Sequence, residues 1–221
     1  MSLFRALHYY LATAPALILR TNFWVLPLVF INKPVLLKTD LGLSFYVTSI
    51  MEAWVINEIF LHKQYEEYYT IKKNDIVIDI GASIGDFSIW ASRKAKAVYA
   101  YEMDKRLVHF MEKNIQHNDA KRVILKAKRA LSLDKIFTEN NLTKCDLLKI
   151  DCEGSEYPIF ENSSDKTLQK IDHIAMEIHM FDKTMKKKRK ELLNRLRKHF
   201  EVIEHLNPVR SDISFVYASR K

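Results

Sequence analysis

Glycine is scarce in this sequence. Average usage would place roughly 15 in a chain of this length, yet the 221 residues hold 4: Gly42, Gly81, Gly85 and Gly154. That scarcity excludes collagen-like repeats, glycine-rich linkers and propeller blades, and leaves each glycine where backbone geometry restricts the choice. Cysteine is scarcer still. Cys145 and Cys152 cannot build a disulfide framework or a four-thiolate zinc site; they read as buried free thiols in a reducing compartment. No carboxylate precedes Asp40, and there is no internal repeat or low-complexity linker. The rest is ordinary for a folded domain: 48% hydrophobic and 28% charged residues exclude wholesale disorder. A formal charge of +8 permits attraction to nucleic acid, anionic lipid or an anionic cofactor without choosing among them.

Two apolar runs open the chain, Ala6 to Leu19 and Phe23 to Ile31, divided by Arg20-Thr21-Asn22. Each is shorter than the roughly 18 to 20 residues of a membrane-spanning helix, and joining them would put Arg20 near the membrane centre. Pro15 directly after Ala12-Thr13-Ala14 disfavours cleavage of a secretory signal there. The segment therefore predicts a helix whose apolar face packs on the domain. The alternative is peripheral membrane contact through residues 1–32, which are basic and aromatic-rich. The expected location is cytoplasmic, with membrane association as that alternative.

Residues 1–70 read as an extension holding the apolar segment, a hairpin about Gly42 and a helix from Ile50 to Tyr69. From residue 71 onward strands and helices alternate. Continuous apolar runs at Asp75 to Ile80 and Cys145 to Asp151 have the character of strands buried on both faces. Further strands are expected at Ala97 to Glu102, Arg122 to Lys128 and His173 to Ile178, with helices between. A basic helix from Lys183 to Phe200 and an antiparallel edge made by Glu201 to His205 and Ile213 to Ala218 complete the pattern. The predicted fold is α/β, a doubly wound and mostly parallel sheet, over residues 71–221.

In such sheets ligands bind beyond the carboxyl ends of the strands, near the reversal of strand order. The first strand runs into Asp79-Ile80-Gly81-Ala82-Ser83-Ile84-Gly85. Gly81 permits a tight turn, and Gly85 close packing of the next helix. The spacing is not the dinucleotide pattern. Glu102 ends the next strand about 20 residues on, where an acid takes ribose hydroxyls. A nucleoside cofactor without a diphosphate site points to S-adenosylmethionine, held by Asp79, Gly81, Ala82, Ser83, Gly85, Glu102 and Asp151.

A second constellation follows the later strands. Asp151-Cys152-Glu153-Gly154-Ser155-Glu156 crowds three carboxylates around a glycine, costly for a mere turn. One strand later, alternation puts Glu177 and His179 on one face. Asp151, Glu153, Glu156, Glu177 and His179 form the predicted reaction-side group, with Glu153 or His179 as general base. A divalent ion on Asp151, Glu177 and His179 is chemically reasonable; the residues leave metal-assisted and metal-free deprotonation both open.

Asp79-Ile-Gly-Ala-Ser-Ile-Gly, Tyr101-Glu102, Leu133-Asp134, Leu148-Lys-Ile-Asp-Cys-Glu-Gly-Ser-Glu156 and Glu177-Ile-His179 resemble the FkbM-type methyltransferases, from about Leu36 to the carboxyl terminus. The resemblance implies a class I, Rossmann-like enzyme that uses S-adenosylmethionine, typically to O-methylate hydroxyls of sugars, glycolipids or polyketides. Ser83 replaces the family's usual Asn, and the stretch between Asn118 and Leu131 is shorter than usual. The Lys186-Lys-Lys-Arg-Lys190 run reads as the solvated side of a helix whose other face carries Met185, Leu192, Leu196 and Phe200. A nucleic-acid methyltransferase, or a non-catalytic binding protein that keeps the fold, are the alternatives.

Overall fold

The computed structural model describes residues 3–207 and 209–221, with side chains from residue 8 onward save those of residues 61 and 62. Helix α1 (Leu3–Arg20) leads through a 3-10 segment (Phe23–Ile31) into a two-stranded antiparallel sheet, β1 (Val35–Lys38) and β2 (Ser44–Val47). Helix α2 (Ile50–Asn57) starts at Ser49, whose side chain accepts from the Glu52 amide. The helix predicted to reach Tyr69 does not do so. It widens into one π-helical turn (Glu58–His62), then breaks at Lys63, whose φ is 49°. A short 3-10 turn (Gln64–Glu66) follows. Glu66 explains the redirection: its carboxylate accepts from the Ile71 amide at 2.9 Å and from the Trp90 indole at 2.5 Å.

Strands and helices then alternate: β3 (Ile76–Ile80), α3 (Asp86–Ser92), β4 (Ala97–Glu102), α4 (Lys105–His117), β5 (Val123–Ala127), α5 (Leu133–Glu139) and β6 (Cys145–Ile150). Two short helices, α6 (Glu156–Glu161) and α7 (Asp165–Leu168), precede β7 (Ile171–His179), α8 (Lys183–Leu196), β8 (Phe200–Leu206) and β9 (Ile213–Arg220). The seven strands lie in the order β5-β4-β3-β6-β7-β9-β8; the first five are parallel and β9 runs antiparallel to both neighbours. Helix α8 stops before Phe200, which begins β8 instead of extending the helix.

Every residue of β6 is buried, as its continuous apolar run demands. One face of the sheet packs against α3 and the residues before 71, so Leu37, Phe45 and Phe87 share a core with Val77. The other face packs Leu133, Phe137, Phe160 and Leu196. Asn114 of α4 binds the two layers to the glycine turn: its Oδ1 accepts from the Tyr46 amide at 2.7 Å, and its Nδ2 donates to the Ile84 carbonyl at 2.9 Å. Among the described residues no helix is long and apolar enough to cross a membrane. Strand order reverses between β3 and β6, and the turns after these two strands meet there.

Candidate active site

The turn after β3 is shaped by what it touches. Gly81 has φ of 77°, and a Cβ there would lie 1.6 Å from the Asp151 carbonyl oxygen. Only glycine allows the ends of β3 and β6 to come this close. Ser83 is also left-handed, at φ 51°, and its amide donates to Glu102 Oε2 at 2.9 Å. Glu102 Oε1 accepts from the amides of Met103 and Asp104, both at 2.8 Å. Three backbone amides thus fix the Glu102 carboxylate at the end of β4.

Behind the turn lies a buried charge cluster. Asp79 has no exposed surface; its Oδ2 accepts from the Ser88 hydroxyl at 2.6 Å and its Oδ1 meets Lys149 Nζ at 3.0 Å. Lys149 also donates to the Gly81 carbonyl at 2.7 Å. Burial opposes the lysine's charge, but Asp79, Asp151 and Asp86 outweigh it and hold the ammonium above its usual range. Burial pushes the Asp86 carboxyl up to about 7, against the Lys149 charge and the Phe87 amide.

The loop after β6 carries the acids. Glu153 (φ 51°) and Gly154 (φ 93°) are both left-handed, which turns the chain sharply into α6. Glu156 is fully buried. Its Oε1 takes the His179 amide at 2.9 Å and the His179 Nδ1 at 2.7 Å, while Tyr157 donates to the His179 carbonyl at 2.6 Å. These bonds fasten the end of β7 to α6. On the other side of the ring, Nε2 lies 3.6 Å from the exposed Glu153 carboxylate. Burial disfavours the imidazolium, yet the hydrogen bond and charge of Glu156, then Asp151 and Glu153, raise its pKa overall. This histidine is thereby held toward its protonated form.

Residues outside the sheet complete the arrangement. Tyr65 donates to Asp151 Oδ2 at 3.0 Å and reaches Glu177 Oε1 at 3.2 Å; Gln64 donates to Glu177 Oε1 at 2.7 Å. Burial, followed by the charge of Asp151, raises the Glu177 carboxyl to about 8, with His179, Gln64 and Lys149 opposing. Ligand atoms of Asp151, Glu177 and His179 all lie within 4.8 Å of one another, so this trio could share a divalent cation.

A cavity of about 390 Å³ opens between these turns, lined by Gly81, Ser83, Glu102, Asp151 and Glu153 among others. Of the residues expected at the site, these five reach the cavity wall. Asp79, Ala82 and Gly85 lie behind it: Ala82 is fully buried and a Cβ on Gly85 would press Met111 at 2.9 Å. Glu177 and His179 stand beside the cavity through Tyr65 and Glu153, and Glu156 lies behind His179 and the Cys152 thiol, which donates to its Oε2 at 3.9 Å. Sequence reasoning missed Tyr65, Asp86 and Lys149 as site groups, along with Lys128 and Arg129 on the wall. Asp86 and Lys149 flank the recognised motifs and were legible there; Tyr65 had no local signal.

A family model described as the methyltransferase FkbM domain matches residues 62–207. The chain belongs to the FkbM methyltransferase family. The family implies S-adenosylmethionine as cofactor, and the mostly parallel sheet is of the Rossmann-like methyltransferase type. A protein described as an uncharacterized RNA methyltransferase of Caldanaerobacter subterraneus subsp. tengcongensis is 29% identical over 113 residues, 51% of this FkbM chain. The chain spans about a quarter of that relative's length, 25%. Among solved structures, a putative methyltransferase from Streptococcus mutans in complex with SAH aligns with TM-score 0.53 at 16% identity, over 68% of this chain and 91% of its own. Fibrillarin of Aeropyrum pernix, with natively bound S-adenosyl-L-methionine, aligns with TM-score 0.51 at 15% identity, over 71% of each chain. At these identities the two structures attest the fold.

Proposed function

We propose that this FkbM methyltransferase methylates a hydroxyl of a sugar, glycolipid or related small molecule. The observation that carries the reading is the acidic wall of the cavity: Asp151 and Glu153 line it, with Glu177 and the Glu156–His179 pair directly behind. Carboxylates suit the binding of hydroxyls and the removal of their protons.

The residues present fit the donor. Gly81 leaves the turn bare of side-chain bulk beside the cavity, and the Glu102 carboxylate, fixed by three amides, is the group we assign to two ribose hydroxyls. Asp151 is assigned to the donor's amino group. Asp79, Ala82, Ser83 and Gly85 shape the turn that holds these groups. When bound, the donor supplies an electrophilic methyl group on a cationic sulfur.

Transfer to a hydroxyl requires an oriented oxygen that gives up its proton. Glu153 is the proton acceptor in this reading. His179, buried and held toward the imidazolium, keeps that carboxylate in place across 3.6 Å, and Glu156 in turn orients the ring. His179 and Glu156 therefore act as positioning residues. Asp151, Glu177 and His179 could alternatively hold a cation that acidifies the hydroxyl.

RNA is the second reading, favoured by the net charge of +8 and by the description of the Caldanaerobacter relative. The basic helix α8 offers it little, because Lys188 pairs with Glu161, Arg189 with Glu204 and Arg195 with Asp165. The test is methyl-labelled S-adenosylmethionine offered glycan, glycolipid and RNA pools in parallel, with and without EDTA. Label in the glycan or glycolipid pool is expected; label confined to RNA would overturn the acceptor assignment, and loss with EDTA would favour the cation.

A further inference from the structure

The first two helical segments wear their apolar residues outside in. Along α1 the exposed positions include Leu11, Pro15, Ile18 and Leu19, spaced i, i+4, i+7 and i+8 on one face. The inward positions include Leu17 together with Tyr9 and Thr13, which make polar contacts: Tyr9 donates to Glu58 and Thr13 to the Tyr9 carbonyl. An ordinary surface helix has the opposite arrangement. The 3-10 segment sends Leu26 and Val29 inward and leaves Trp24, Leu28, Phe30 and Ile31 outside. Leu19 is 82% exposed, Trp24 68% and Phe30 74%. Of 18 large apolar side chains exposed among the described residues, 9 fall between Tyr10 and Ile31. A patch of this density on a folded chain marks an interaction surface.

We propose that this face docks on an anionic lipid bilayer, with α1 and the 3-10 segment lying in the interface and not crossing it. Charge decides the occupant. No acid occurs before Asp40, and the two carboxylates that touch the segment are taken: Asp40 by Arg20, Glu58 by Tyr9. Lys33 and Lys38 beside the patch are exposed and make no ion pair among the described residues. Aliphatic and aromatic groups bordered by free cations match an anionic headgroup layer. A second copy of the chain would set lysines against lysines with no acid to meet them.

The docking segment packs on the helix that walls the candidate active site. Tyr10 packs edge-on against Trp54 at 4.9 Å, and Asn57 donates to the Thr13 carbonyl at 3.4 Å. From the same α2 and π-turn, Val55 and Ile59 line the cavity. Membrane engagement would thus hold the cavity wall and the bilayer to one rigid segment.

The proposal is tested by flotation of the full chain with vesicles of phosphatidylcholine alone and with about one third phosphatidylserine. The chain should float with the anionic vesicles and much less with the neutral ones, and 0.5 M salt, taken as roughly a 4 Å screening length, should weaken the binding. The double variant Leu19→Glu/Trp24→Glu alters only exposed positions; with an unchanged circular dichroism spectrum it should partition at least about tenfold more weakly. Absence of flotation, flotation equal in the variant, or a homodimer in solution that the same variant dissociates would overturn the proposal.

Discussion

Glu177 holds its proton because the fold surrounds it with burial and with Asp151. Its carboxyl rises from 4.5 to about 8. In the unfolded chain it ionises near the lower value. Between these two values the folded protein keeps a proton that the unfolded chain releases, so this contribution to stability falls as pH rises through the window. Glu177→Gln keeps the oxygen that accepts from Gln64 and removes the titration. The variant should match the parent near about pH 4 and exceed it by roughly 4 kcal/mol at about pH 8.5, as read by urea denaturation. A parent and variant with parallel stability curves would contradict the burial account. The same crowding shows why site residues were only partly legible. The sequence put Asp79 on the rim because it precedes the glycine turn; in the fold Ser88 and Lys149 claim both its oxygens. Asp86 looks like a common first-turn helix acid, and only its enclosure with Asp79 and Asp151 distinguishes it.

At the scale of elements, the strand-turn-helix from Ile76 to Ser92 depends on a single missing Cβ. Gly81→Ala would meet the Asp151 carbonyl oxygen at 1.6 Å in a left-handed backbone. Either β3 or β6 must then move, and the cost should be about 3 kcal/mol or more, together with loss of cofactor binding. Denaturant unfolding checks the first and calorimetry the second; an alanine variant as stable as the parent would refute the close crossing. Periodicity and continuous apolar runs found β3, β4 and β6 within a residue of their ends, because these strands are buried on both faces. It failed where long-range contacts set the backbone. The segment Ile50 to Tyr69 keeps helical composition throughout, yet Glu66 and Tyr65 bond to partners beyond it and turn the chain at Lys63. Likewise α6 was hidden within an acidic loop, since its role is to bury Glu156 against His179.

At the scale of the whole molecule, the sheet order brings three distant stretches to one crevice. The turn after β3, the loop after β6 and the end of β7 meet there, closed on one side by α2 and Tyr65. The doubly wound sheet was readable because alternation of strand and helix admits few topologies. The closure was not, because Tyr65 lies 86 residues from the acid it bonds. The apolar amino-terminal segment was expected to turn its apolar face to the domain; among the described side chains only Leu17, Leu26 and Val29 of its apolar runs are fully buried, and most of the other large apolar ones point outward. The central claim is that S-adenosylmethionine sits in this crevice with its ribose on Glu102. Calorimetric titration with S-adenosylhomocysteine measures it directly, using the parent and a Glu102→Ala variant whose circular dichroism and melting show it folded. The account predicts binding by the parent at 1:1 and at least about tenfold weaker binding by the variant. No heat of binding by the parent, or equal affinity in the two, would contradict it.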